Sequence, residues 1–233
     1  MTPEGFRLPD DSQRHAIVGR TGSGKTQAAV WHLSQRSFDV MPWIIYDFKG
    51  DKLIGALPTK EIELGVVPDE PGLYIVRPYP DQGTEINDHF FRMWEHENIG
   101  LYIDEAYMIG QHNPGYRTLL TQGRSLTIPI ISLSQRPVKV DTFSLSEADF
   151  IQSFALNNHR DKKTIEEYMP VDMSEKLEKH TSWYYDVGED RVFKFNPVPD
   201  AQTILGIFRK RFEVAEKAGE PIPTAPPAAL RRI

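Results

Sequence analysis

Residues 19–26 read Gly-Arg-Thr-Gly-Ser-Gly-Lys-Thr and match the pattern G-x-x-x-x-G-K-[ST] at every fixed position. His15-Ala16-Ile17-Val18 leads in as a short apolar run with the look of a buried strand. Gln27-Ala28-Ala29-Val30-Trp31-His32-Leu33 leads out as a helix. This order of strand, glycine loop and helix constrains the fold more than any other feature of the chain. Gly19, Gly22 and Gly24 let the backbone N–H groups of the loop, with Arg20, Thr21 and Ser23, curl around phosphate oxygens without a Cβ in the way. The start of the helix adds partial positive charge. Lys25 is predicted to reach the β- and γ-phosphates of ATP, and Thr26 to hold Mg²⁺.

The 233 residues suffice for one sizeable α/β domain. Apolar runs predict strands over 15–18, 43–47, 73–77, 100–104, 128–134 and 151–156. Helices fit 25–35, 85–96, 115–124 and 161–168, with Asp161 as a candidate cap for the last. That alternation predicts a P-loop NTPase fold of the RecA-like kind, a mostly parallel sheet flanked by helices. Residues 182–195 read as a C-terminal β-hairpin around Gly188-Glu189-Asp190, and a last helix runs from Thr203 to about Ala218. The expected division is a leader over 1–12, an ATPase domain over 13–212, and a helix end with a Pro-rich tail over 213–233. Phe6 and Leu8 of the leader are candidates to pack near an adenine ring.

No apolar run is long enough for a transmembrane helix, and the polar, acid-containing start is not a signal peptide. The chain has no cysteine, which excludes disulfides and cysteine metal sites and fits a reducing cytoplasm. The net charge of −6 does not point to nucleic acid. Yet no acid lies between Glu105 and Asp141, where Arg117, Arg124, Arg136 and Lys139 all fall. These cations either line a basic surface or serve the nucleotide or a neighbouring subunit.

Gly-Leu-Tyr-Ile-Asp-Glu at 100–105 is a strand ending in two carboxylates. Asp104 suits the Mg²⁺ shell, and Glu105 is placed to polarise an attacking water as general base. Ile130-Ile131-Ser132-Leu133-Ser134-Gln135 is a strand ending in an amide before Arg136-Pro137. Strand C-termini of a parallel sheet gather at the ligand edge, so Gln135 is predicted to sense the γ-phosphate. Ile44 to Asp51 ends another strand in a charged turn, where Asp47 and Lys49 either tune the phosphate site or pair with each other.

Together, Gly-Arg-Thr-Gly-Ser-Gly-Lys-Thr, Asp-Phe-Lys-Gly-Asp, Tyr-Ile-Asp-Glu-Ala and Ser-Gln-Arg-Pro resemble the FtsK–HerA superfamily of nucleic-acid-pumping ATPases, over residues 13–170. The resemblance implies a homo-oligomeric ring of five or six subunits around double-stranded DNA. It also implies an arginine acting in a neighbour's site, for which Arg124 is the candidate and Arg136 and Arg160 compete. The short chain is similar to the small genome-packaging ATPases of membrane-containing icosahedral phages, and a capsid vertex or a membrane protein is the candidate docking partner. Export ATPases of the zonular-occludens-toxin type, a non-translocating assembly switch and a P-loop kinase are the alternatives. Tyr116 and Arg117, in a polar stretch after the Asp-Glu pair, are the candidate DNA contacts.

Overall fold

The computed structural model describes residues 5–79 and 81–218. Nine strands form one sheet: β1 (Arg14–Val18), β2 (Pro42–Asp47), β3 (Lys60–Glu61), β4 (Gly72–Val76), β5 (Gly100–Asp104), β6 (Ile130–Ser134), β7 (Phe150–Ser153), β8 (Ser182–Asp186) and β9 (Arg191–Phe195). Their order is β3-β4-β2-β5-β6-β1-β7-β8-β9. The strands from β3 to β7 run parallel, and β8 and β9 add an antiparallel hairpin at one edge. Strand β6 is thus inserted between the strand that leads into the glycine loop and β5, whose end carries the carboxylates. Only the two-residue β3 has no counterpart in the sequence reading, because two exposed polar residues carry no periodic signal.

The helices are α1 (Lys25–Leu33), α2 (Gly83–His96), α3 (Pro114–Gln122), the single turn α4 (Phe143–Ser146), α5 (His159–Tyr168) and α6 (Ala201–Ala218). The sheet is buried on both faces. Trp43, Ile45, Tyr102, Ile131 and Leu133 pack with α1 and α6, while Ile44, Tyr46, Leu101, Ile103 and Ile130 pack with α2 and α3. That two-sided burial is why the strands read as continuous apolar runs. Helix α2 buries Ile86, His89, Phe90 and Met93, a stripe at the helical spacing that covers β2 and β5.

Polar caps set the helix starts that face the ligand edge. Asn113 accepts a bond from the Tyr116 N–H at 2.9 Å, with Pro114 at the first helical position of α3. Asn113→Ala should lower stability by about 1 kcal/mol, measured by urea unfolding; an unchanged midpoint would show the cap to be idle. Asn158, not Asp161, caps α5, by accepting from the Arg160 N–H at 2.8 Å. Asp161 lies inside the helix, buried, where it binds the Arg136 guanidinium at 2.8 Å.

From Phe6 on, the leader is packed rather than loose. Phe6 packs in tilted and edge-on contacts among Tyr184, Phe193 and Phe195, and Arg7 pairs with the buried Asp186 at 2.5 Å. Leu8 joins the same cluster. The expected Pro-rich tail over 219–233 lies outside the described residues. Among the described residues no helix is long and apolar enough to cross a membrane.

Candidate functional site

The parallel strands deliver their ends to one edge. There a cleft of about 340 Å³ is lined by Thr21, Gly22, Gly24–Gln27, Lys49, Asp51, Asp104, Glu105 and Gln135. The loop turns through Gly22 at φ 74° and Gly24 at φ 99°, conformations that a side chain would strain. Gly24 is also the N-cap of α1, so the helix start opens directly on the cleft.

Glu105 is the hub. It is fully buried and held at φ 65°, in the left-handed region unusual for a glutamate. Its Oε1 receives Lys49 Nζ in a short contact, Lys25 Nζ at 3.2 Å and Gln135 Nε2 at 2.6 Å. Its Oε2 accepts from the Gln135 backbone N–H at 3.3 Å. Thr21 Oγ1 donates to Gln135 Oε1 at 2.5 Å, which ties the phosphate loop into the same network. Burial alone would push the Glu105 carboxyl up. The hydrogen bond from Lys49, the charge of Lys25 and the Gln135 amide outweigh it and hold the group below the usual glutamate range.

Asp104 contrasts with its neighbour. Burial first, and the Glu105 charge second, push its carboxyl up to about 7 against the pull of Lys25 and Lys49. Its Oδ1 is buried without a hydrogen-bond partner. A carboxylate oxygen left bare beside the phosphate loop is costly unless a cation or donor meets it. Asp104 is paired in register with Asp47, whose Oδ1 accepts from the Asp51 N–H at 3.0 Å. Asp47 and Lys49 therefore do not pair with each other. Asp47 shapes the turn and meets Arg77 at 3.4 Å, while Lys49 reaches Glu105.

A relative supplies the decisive observation. The DNA packaging ATPase P9 of Enterobacteria phage PRD1 is 42% identical over 224 residues, covering 91% of this chain and 97% of that protein. The chain belongs to the FtsK–HerA superfamily, among the viral genome-packaging ATPases. No protein-family model matches it. The genome packaging NTPase B204 of Sulfolobus turreted icosahedral virus 2, in complex with AMPPCP, superposes with a TM-score of 0.64 at 17% identity, over 82% of this chain and all of that one. VirB4 of Thermoanaerobacter pseudethanolicus has a TM-score of 0.63 at 10% identity, over 84% of this chain and 94% of its own. At these identities the two structures share the fold.

Against the expectations for a packaging ATPase of this kind, the structure corrects one candidate and relocates others. Tyr116 cannot present its ring to DNA in this fold. It is 1% exposed, packs on Phe90 at 5.6 Å, and turns its hydroxyl toward Ser144. The polar stretch around it hid a core position, because the first turn of α3 faces inward. Arg117 points outward, but its guanidinium binds Asp141 at 2.6 Å and also contacts His112.

The acid-free stretch is not an uncompensated basic surface. Arg117, Arg124 and Arg136 meet Asp141, Asp149 and Asp161, acids that follow it in sequence. Arg124 is held by one contact at 3.2 Å and its side chain is 61% exposed. Its partner Asp149 also binds Arg14, at the start of β1, so Arg124 lies at the sheet edge opposite the cleft. Arg136 and Arg160 lie at the cleft edge, after β6 and at the start of α5. Lys49 is the site residue whose role the sequence left open, and only its contact with Glu105 assigns it to the phosphate cleft.

Proposed function

We propose that this chain is the ATP-driven DNA translocase of a viral packaging motor, hydrolysing ATP where subunits of a homo-oligomeric ring meet. The observation that carries the reading is the four-way hold on Glu105 beside the glycine loop, in a chain 42% identical to a packaging ATPase. Backbone N–H groups of Gly19–Thr26 and the start of α1 bind the phosphates, and Lys25 neutralises the β- and γ-phosphates. Thr26 and Asp104, the latter with its bare Oδ1, fit Mg²⁺, which when bound supplies charge neutralisation on the phosphate oxygens.

Glu105 acts as general base toward water, and Gln135 orients that water or the γ-phosphate. Lys25, Lys49 and Gln135 all engage the Glu105 carboxylate. An arriving γ-phosphate competes for Lys25 and Gln135, which frees the carboxylate to accept a proton. The base is thus released by its own substrate. Arg124, remote from its own cleft, acts in trans as the arginine finger of the adjacent subunit. Arg117 tracks the DNA backbone, and a capsid-vertex or membrane partner docks the ring.

Steady-state ATP hydrolysis with and without double-stranded DNA tests this, with Lys25→Ala as the blank. DNA should stimulate turnover several-fold, and the stimulation should fade as salt rises, since backbone contacts release counterions. Turnover indifferent to DNA at low salt, in protein shown to be assembled, would favour a non-translocating assembly switch instead.

A further inference from the structure

The Ser23–Gly24 peptide joins the glycine loop to the start of α1. A trans peptide is planar, so its C=O and N–H point in opposite directions. The aim of the Ser23 carbonyl therefore fixes the aim of the Gly24 N–H. An N–H turned to the cleft attracts phosphate oxygens, and a carbonyl turned there repels them. Gly24 itself does not choose. It sits at φ 99° and has no Cβ, so the peptide can turn over at little steric cost.

The choice is made from outside the loop. The ring Nδ1 of His180 lies 3.2 Å from the Ser23 carbonyl oxygen. A carbonyl can only accept, so that nitrogen carries the proton and donates it. His180 stands in the turn before β8 and does not line the phosphate cleft. It draws the carbonyl away from the cleft and so turns the Gly24 N–H toward it. Among the described residues no other donor meets the Ser23 carbonyl, and no acceptor meets the Gly24 N–H. The approach is close: a Cβ on Gly24 would fall 3.0 Å from the same nitrogen.

His180 is itself held in place. Its backbone is at φ 65°, a conformation that a residue with a side chain rarely adopts. Thr181 closes the turn on the Glu178 carbonyl, through its N–H at 3.2 Å and its hydroxyl at 2.7 Å. One residue further, the buried Ser182 Oγ accepts from Gln152 Nε2 at 2.8 Å, and Gln152 Oε1 meets His32 Nε2 of α1 at 2.9 Å. Gln27 of α1 adds a second tie, donating to the Pro199 carbonyl beyond β9 at 2.7 Å. The antiparallel extension is thus pinned to α1 on both sides of the hairpin, and His180 reaches the loop from a fixed base.

We infer that His180 is a positioning residue for the triphosphate: its Nδ1–H locks the Ser23–Gly24 peptide with the N–H toward the phosphates, from 157 positions along the chain. This role rests on the nucleotide reading above. It gives the hairpin extension a part in nucleotide affinity without any contact to the nucleotide.

Two substitutions separate the donor from the ring. His180→Phe keeps an aromatic ring and loses the N–H. His180→Asn places an amide nitrogen where Nδ1 stands, one bond from Cγ, and asparagine tolerates positive φ. Calorimetric titration with ATP and with inorganic tripolyphosphate, each with Mg²⁺ and well below the Tm of every variant, tests the role. His180→Phe should weaken both ligands by the same factor, about tenfold, the size of one lost hydrogen bond to a charged group. His180→Asn should stay within about threefold of wild type for both. Wild-type affinity in His180→Phe would overturn the role. So would a His180→Asn protein as weak as His180→Phe, since the donor would then not be what counts. A loss for ATP with tripolyphosphate unchanged would overturn it as well, by moving the effect from the phosphates to the nucleoside. Wild-type protein that binds neither ligand would overturn the nucleotide reading itself, and the role of His180 with it.

Discussion

Glu105→Gln should lower kcat for ATP hydrolysis by about 10³-fold while leaving ATP affinity equal or tighter. The substitution keeps the shape of the side chain and a group able to hydrogen-bond Gln135, but removes the oxygen that accepts the proton of water. It also removes the negative charge that engages Lys25 at 3.2 Å, so Lys25 becomes freer to meet phosphate. Single-turnover hydrolysis and nucleotide titration separate the two effects. Turnover within tenfold of wild type would remove Glu105 from the base role. Loss of ATP binding would mean instead that the Lys25–Lys49–Gln135 cluster collapses without the carboxylate.

Gly100→Ala should destabilise the fold by about 3 kcal/mol, near the upper end of what overpacking costs. Gly100 opens β5 opposite Trp43 in β2, and a Cβ built there would fall 2.1 Å from the indole ring. The ring has no room to yield. Trp43 is fully buried, with the Arg36 guanidinium over it at 5.8 Å, and Arg36 is itself fixed by the carbonyls of Pro9 and Asp10. At this chain length the loss corresponds to a fall in Tm of about 6–12 °C. Because β5 ends in Asp104 and Glu105, hydrolysis should fall with stability well below the new Tm. A Tm within 2 °C of wild type would show that the strands can part enough to admit the methyl.

The phosphate loop, the Asp-Glu strand end and the strand that ends at Gln135 could be read in the chain because each is local. A glycine turn, an apolar run and a terminal carboxylate lie within a few residues of one another, and their order restricts the topologies that bring them together. The continuous apolar character of β2, β5 and β6 announced a sheet covered on both faces, and the hairpin was marked by its turn residues. What these patterns could not express was which side of a short helix faces in. Tyr116 sits among polar residues, yet Asn113 starts α3 so that its first turn packs on Phe90. Charge counted along the chain was equally silent on pairing. The arginines of the acid-free stretch find their partners 24 or 25 residues further on, through the crossing of α3, β6, β7 and α5.

Lys49 shows the same division at the site itself. Residue order left it between Asp47 and the phosphate cleft, and only the adjacency of β2 and β5 carries its ammonium to Glu105, 56 positions away. The sequence by itself determined the chemistry of the site and the kind of sheet that holds it, since both are written in contiguous residues. The tertiary structure alone decided which charges neutralise one another and which aromatic ring is core, because those depend on distances between segments that only packing brings together.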